Sequence, residues 1–257
     1  MIHIRSILFN LVFYANCAFW FLLAFVGYLV PKRYFVYFNK GWGFTSVWLF
    51  EKIIGSKLII RGLENIPPGG FLVASKHQSA WETMGLLLYF TTPTFIFKHE
   101  LTRVPLFGQH LLRGGNIPIE RGGKAAAAAR MMATARSAVE EGRQIIIFPE
   151  GTRRDIGAEP DYKIGVARLY KSLNAPVLPV ALNTGLAWPR RRFTKYPYPV
   201  IVEFLEPIPA GMKPTEFFAL LQERIETATA RLIEEAKASA PAVESQRLSD
   251  SQANVGS

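Results

Sequence analysis

The chain has 257 residues, a single cysteine, a net charge of +10 and an isoelectric point near 9.8. That length allows one α/β domain of ordinary size with at most a small appendage, and one cysteine excludes an intramolecular disulfide and suits a reducing compartment. Almost half of the residues are apolar and the mean hydropathy is positive, so a sizeable core and membrane contact are both open; the basic balance points to anionic lipid or acidic metabolites, and without zinc-ligand spacing, an RNA-binding aromatic signature or a basic zipper, nucleic acid is disfavoured as a partner.

Ile7 to Val30 is an uncharged apolar run preceded by Arg5 and followed by Pro31-Lys32-Arg33. It is long enough to cross a bilayer, for which about 20 residues suffice. It exceeds the apolar core of a signal peptide, and no small-x-small cleavage site follows it. The next segment, Tyr34 to Ile54, is aromatic but carries Lys40, Glu51 and Lys52. Its Tyr34, Tyr37, Trp42 and Trp48 suit the headgroup region. Residues 1–54 therefore read as a membrane element: a helix that spans or dips, then an amphipathic interfacial helix. The competing reading is that both helices cover the core of a soluble domain. Lys32, Arg33 and Lys40 place the following domain on the cytoplasmic face of the cell membrane.

From Gly55 the pattern changes to short apolar runs separated by turns and helices. Strands are predicted at Lys57–Arg61, Phe71–Ser75, Thr94–Lys98, Asn116–Ile119, Gln144–Phe148, Val177–Leu182 and Val200–Phe204. Helices are predicted at Glu82–Phe90, Lys124–Glu141, Ile164–Leu173 and Thr215–Lys237. The second is dense in alanine, the best helix former, and ends at Gly142. Strands alternating with helices indicate an α/β fold, a mainly parallel sheet of about seven strands flanked by helices. This domain occupies residues 55–238. Residues 239–257 are polar, with almost no apolar spacing, and are expected to be disordered. Pro118 and Pro179 are expected to shape strand edges.

The chemistry concentrates after the strands. Ser75–Thr83 holds His77 and, five positions on, Glu82. A histidine with a nearby carboxylate can be a general base with its orienting acid. Ser79-Ala80-Trp81-Glu82 equally fits a capping box, in which Glu82 reaches back to the Ser79 N–H. The two readings share one geometry, because the chain must enter the helix between His77 and Glu82. Three further places carry cations or acids at strand ends: Lys98; Glu120-Arg121-Gly122-Gly123-Lys124; and Pro149-Glu150-Gly151-Thr152-Arg153-Arg154. Glycine allows close backbone approach and arginine offers forked donors to a phosphate. Each turn alone could be a solvated surface feature. In parallel α/β sheets, however, ligands gather beyond the C-terminal strand ends, and five charged positions there suggest one site.

These segments carry a resemblance. His77 with Glu82, Gly115–Arg121, Phe148-Pro149-Glu150-Gly151-Thr152-Arg153 and Val177-Leu178-Pro179-Val180 follow the order and approximate spacing of the four blocks of the glycerolipid acyltransferases. Within that family the chain resembles the 1-acylglycerol-3-phosphate acyltransferases, over roughly residues 58–204. The family's usual acid after the histidine is Asp; this chain has Glu82, which keeps the carboxylate and adds a methylene. The resemblance implies transfer of a fatty acyl group from a thioester, acyl-CoA or acyl-carrier protein, to the free hydroxyl of lysophosphatidic acid, giving phosphatidic acid. It implies His77 and Glu82 as the catalytic pair, Lys98, Arg121 and Arg153 as the clamp on the substrate phosphate, and Glu150, Gly151 and Thr152 as pocket residues. No metal and no bound cofactor are implied. A gentler version keeps the family and changes the acceptor to a lysophospholipid, an ornithine lipid or dihydroxyacetone phosphate. Different classes remain a non-catalytic protein that binds anionic membrane lipid and a soluble thioester hydrolase.

Overall fold

The computed structural model describes residues 1–104, 106–120 and 125–253. Seven strands form one sheet: β1 (Leu58–Arg61), β2 (Phe71–Ser75), β3 (Pro93–Lys98), β4 (Ile117–Ile119), β5 (Gln144–Ile147), β6 (Val177–Leu182) and β7 (Val200–Phe204). Their order is β1-β7-β6-β2-β5-β3-β4. Every pairing among these described strands is parallel except β6 with β7. The expected α/β class and mainly parallel sheet are what the structure has.

Successive residues of a strand face opposite sides of a sheet, and β2 illustrates this. Phe71 and Val73 pack into one core, Leu72 and Ala74 into the other. Buried on both faces, such strands read as continuous apolar runs. One face is covered by α5 (Ala125–Glu140), α6 (Gly165–Leu173) and the first half of α8 (Pro214–Ser239) through Phe217, Leu221 and Ile225. The other is covered by α3 (Trp81–Gly85), the second half of α8 through Leu232, Ile233 and Ala236, and the N-terminal helices.

Those helices are α1 (Ile2–Val26) and α2 (Phe35–Leu49), the latter continued by a wider turn to Ile54. They pack together through Trp20 Nε1 donating to Thr45 Oγ1 at 2.9 Å and Asn16 Nδ2 to Ser46 Oγ at 3.0 Å. One stripe of α1 joins the core: Phe9 is fully buried between Phe50 and Trp188. The rest is apolar and exposed, including Leu8, Leu11, Tyr14, Phe19 and Leu22. Both ends of α1 are tied to the domain. Near its start, the Lys195 N–H donates to Ser6 Oγ at 2.9 Å and Arg5 Nη1 to the Ile54 carbonyl at 3.1 Å. Just beyond its end, Arg113 on α4 (Phe107–Arg113) donates to the carbonyls of Gly27 at 2.9 Å and Val30 at 2.6 Å.

Several expectations are corrected. Residues 239–253 are not a disordered tail; α9 (Pro241–Ala253) begins on a proline at its first turn and docks through Tyr198 to Glu244 and Tyr196 Oη to Asp250 at 3.0 Å. The segment has too few apolar residues for a hydrophobic signal, and tyrosines from elsewhere in the chain hold it. The helix expected over Glu82–Phe90 is α-helical only to Gly85 and continues as a tighter turn at Leu86–Leu88. Pro179 lies inside the sheet, on β6 between β7 and β2; Pro118 is on the edge strand β4. The helices α4 and α7 (Thr184–Ala187) are short, and no apolar period announces them.

Candidate active site

The parallel strands β6, β2, β5, β3 and β4 are neighbours in that order, so their C-terminal ends form one rim. His77 follows β2, the central member. Phe148–Arg153 follows β5 on one side and Thr184 follows β6 on the other. Lys98 ends β3, opposite Ile119 of β4, and is exposed. Sequence separation is thus converted into adjacency by the strand order.

His77 lies flat on Phe148, with ring centroids 3.8 Å apart and planes 13° from parallel. Its Nδ1 is 3.4 Å from Glu82 Oε2. That is ion-pair distance, without the alignment of a formed hydrogen bond. Glu82 is fully buried, and a buried carboxylate needs donors around it. It has them: Oε1 accepts from the N–H of Gln78 at 3.0 Å, the N–H of Ser79 at 2.9 Å and the hydroxyl of Thr184, while Oε2 accepts from Ser79 N–H at 3.0 Å. Ser79 Oγ in turn accepts from Trp81 N–H at 3.1 Å. The capping role and the histidine-facing role are therefore not rivals. The same carboxylate closes the turn with its backbone donors and presents Oε2 to the imidazole. The extra methylene of glutamate supplies the reach.

One residue earlier, Lys76 turns to the other side. Its Nζ donates to Glu150 Oε1 at 2.9 Å and to both oxygens of Glu226, on α8, at 2.8 and 3.0 Å. Tyr162 Oη also donates to Glu226 Oε1, at 2.9 Å. Glu150 is 1% exposed, its Oε2 has no partner among the described residues, and burial pushes its carboxyl above the usual range against the opposing pull of Lys76. Burial and the neighbouring Glu226 raise the Tyr162 hydroxyl as well. Through Lys76, the residue before His77, the Glu150 carboxylate faces the base of the loop. Arg154 reinforces this loop, its N–H donating to the His77 carbonyl at 2.8 Å, while its guanidinium folds back onto the Glu159 carbonyl at 2.9 Å.

Gly151 takes a positive φ of 65° at the tight turn after β5, a backbone region that suits glycine. Thr152 and Arg153 follow it and are half-buried; the Arg153 carbonyl accepts from Arg190 at 2.6 Å. Arg121 lies outside the described residues. The structure therefore brings together His77, Glu82, Glu150, Gly151, Thr152 and Arg153 and puts Lys98 two strands from His77 on the same rim. Lys76, Glu226, Tyr162, Gln78 and Thr184 escape a linear reading. Only Lys76 carries a local signal, a lysine directly between a buried strand and a histidine. His110 is structural: it stacks on Phe21 with centroids 4.8 Å apart and shares a 3.2 Å contact with Tyr28 Oη.

Comparison with known proteins covers the same region. A family model described as Acyltransferase matches residues 57–183. A 1-acyl-sn-glycerol-3-phosphate acyltransferase of Pseudomonas aeruginosa is 34% identical over 196 residues, which are 76% of this chain and 76% of that one. A protein of the same name from Limnanthes alba is 30% identical over 65% of this chain, which spans 58% of it. The crystal structure of the 1-acyl-sn-glycerophosphate (LPA) acyltransferase from Thermotoga maritima shares the fold, with a TM-score of 0.72 and 23% identity over 90% of this chain and 99% of that one.

Proposed function

The chain belongs to the acyltransferase family, and from that premise we infer that it is a 1-acylglycerol-3-phosphate O-acyltransferase, moving a fatty acyl group from a thioester to the free hydroxyl of lysophosphatidic acid to give phosphatidic acid. The observation that carries this reading is His77 at the end of the central strand β2, stacked on Phe148 with its Nδ1 3.4 Å from the buried Glu82.

An alcohol is a poor nucleophile until a base within hydrogen-bond reach takes its proton, and imidazole suits that task near neutral pH. Nδ1 of His77 faces Glu82, so Nε2 is the atom left for the substrate. Nε2 accepts the hydroxyl proton as the alcohol oxygen forms its bond to the thioester carbonyl carbon. The tetrahedral adduct collapses with loss of the thiolate, and the imidazolium returns the proton to sulfur. One ester forms, one thioester breaks, and the histidine ends as it began. Glu82 Oε2 holds the Nδ1 proton and steadies the imidazolium. The step uses no enzyme nucleophile and no cofactor. Lys98, Arg121 and Arg153 clamp the phosphate, and the Gly151-Thr152 turn shapes the pocket floor. The donor is acyl-CoA or an acylated carrier protein.

The assay is acyl transfer with purified chain, both donors and a panel of acceptors. His77→Ala should lower kcat about 10²–10⁴-fold in a folded protein. Near-normal turnover by that variant would end the base assignment, and equal rates on acceptors with and without phosphate would end the clamp.

The exposed apolar face of α1 supports attachment to the cell membrane, and the basic Lys32, Arg33 and Lys40 that follow it support a domain on the cytoplasmic face. Both ends of α1 are held by that domain, which favours a helix lying in one leaflet over one that crosses. Cysteines placed at Ile2 and at Pro31, in a Cys17→Ser background, should both react with an impermeant label from the domain side of sealed vesicles. Labelling from opposite sides would establish a crossing.

A further inference from the structure

The turn after β6 lies one residue beyond the segment that the family model matches, and it grips the catalytic loop at two points. Thr184 is fully buried and its hydroxyl donates to Glu82 Oε1. The next residue, Gly185, donates its N–H to Gln78 Oε1 at 3.2 Å. The approach is close: a Cβ at Gly185 would stand 3.0 Å from Gln78 Cβ and 3.1 Å from Ile156 Cδ1. Gln78 directly follows His77 and Glu82 lies in the first turn of α3, so both contacts bear on the geometry of the His77–Glu82 pair.

The two oxygens of Glu82 are unequally held. Oε1 carries three donors, two backbone N–H groups and the Thr184 hydroxyl; Oε2 carries one backbone N–H and faces His77. The backbone donors come from the loop that also bears His77, so they move with it. Thr184 is the one donor to this carboxylate, among the described residues, that belongs to another strand end. It ties the carboxylate to the sheet. A glutamate has one more rotatable bond than an aspartate, so a fixed external donor matters more here than for the shorter acid.

From this geometry we propose that Thr184 is a positioning residue for acyl transfer: it pins Oε1 of Glu82 so that Oε2 stays aimed at Nδ1 of His77. The proposal rests on His77 acting as the base. Its consequence is kinetic, because the Thr184 hydroxyl is consumed by Glu82 and substrate binding does not involve it.

The test is steady-state kinetics with lysophosphatidic acid and an acyl thioester on five chains: wild type, Thr184→Val, Thr184→Ser, Glu82→Gln, and Thr184→Val combined with Glu82→Gln. Thr184→Val should lower kcat about tenfold, the size expected when a hydrogen bond to a charged group is lost, with KM within about twofold. Thr184→Ser keeps the hydroxyl and should restore kcat to within about twofold of wild type, which a purely steric role would not do. In the Glu82→Gln background, Thr184→Val should change kcat less than about twofold, since the two side chains act as one unit. Wild-type kcat in Thr184→Val, or a loss of the same size in the Glu82→Gln background, overturns the proposal. If Thr184→Val does not fold, Thr184→Ser decides it alone: a serine chain that melts like wild type yet has lost kcat tenfold overturns it. Inactivity of the wild-type chain on every acceptor, or full activity of His77→Ala, would instead overturn the functional reading.

Discussion

Lys76 and His77 are consecutive residues at the end of one strand, and they do opposite things. Lys76 is sealed: its ammonium sits between Glu150 and Glu226 with 4% of its side chain exposed. His77 has its backbone carbonyl held by Arg154, but its ring lies against Phe148 and Glu82. The alternation of side chains along an extended backbone makes this division possible. One face of the rim spends its charges on holding the loop. The other keeps an imidazole nitrogen available for chemistry. Charge density at a strand end therefore does not say what each charge does; which face it takes separates a paired anchor from a side chain left free for the proposed base role.

Substitutions can break this division, and the largest effect belongs to the reagent face. His77→Ala should remove about 10²–10⁴ of turnover while its melting temperature stays near that of wild type. The matching change on the anchor face, Lys76→Met, should do the reverse. Removing one partner of a buried ion pair leaves uncompensated charge and costs about 3–5 kcal/mol. The expected result is a marked drop in melting temperature, with turnover in the surviving folded fraction well above that of His77→Ala. Equal melting temperatures for these two variants would dissolve the contrast.

Glu82→Gln comes next. It keeps an acceptor oxygen for the turn but loses the carboxylate that faces Nδ1, so kcat should fall at least about tenfold with the fold kept. Unchanged kcat would leave Glu82 with the capping role alone. Arg153→Ala should raise KM for a phosphate-bearing acceptor about tenfold, the worth of one charge-assisted contact, and leave a phosphate-free acceptor unaffected.

The smallest effect concerns pH and the anchor. Burial holds the Glu150 carboxyl above its ordinary value of 4.5. A carboxyl raised by folding is bound to its proton more tightly in the native state than in the unfolded one. Its contribution to stability is complete below about pH 4.5 and is lost as pH rises through the folded value. The melting-temperature difference between Glu150→Gln and wild type should therefore shift in the variant's favour on going from about pH 4 to pH 7. A difference that is flat across that range would mean that Lys76 cancels the burial.

Much of the fold was legible in the chain. Uninterrupted Ile, Val and Phe runs of strand length, separated by helices, leave a doubly covered parallel sheet as the natural solution, and the observed strands match the expected ones to within a residue or so. The placement of His77, Glu150 and Arg153 after strands was equally visible, because a strand end is a local property. What was not visible is everything that depends on partners far away. Glu226 stands 150 residues from Lys76 and Thr184 stands 102 from Glu82; neither carries a motif, and a half-buried glutamate on a helix reads like any surface acid. The polar helix α9 was missed for the same reason, since tyrosines 46 and 54 residues away give it a place to dock.

The sequence by itself determined the class of sheet, the presence of an apolar N-terminal helix and the group of residues that a strand-end site would use. These follow from short-range rules of residue size, period and turn chemistry. The tertiary structure alone decided that Lys76 is paired off between Glu150 and Glu226 while His77 lies against Phe148 and Glu82, and that both ends of α1 lie on the domain. It also settled that Glu82 serves its turn and faces His77 at once. Those outcomes depend on strand order and on which oxygen meets which donor, and neither is written in any stretch of the chain shorter than the fold.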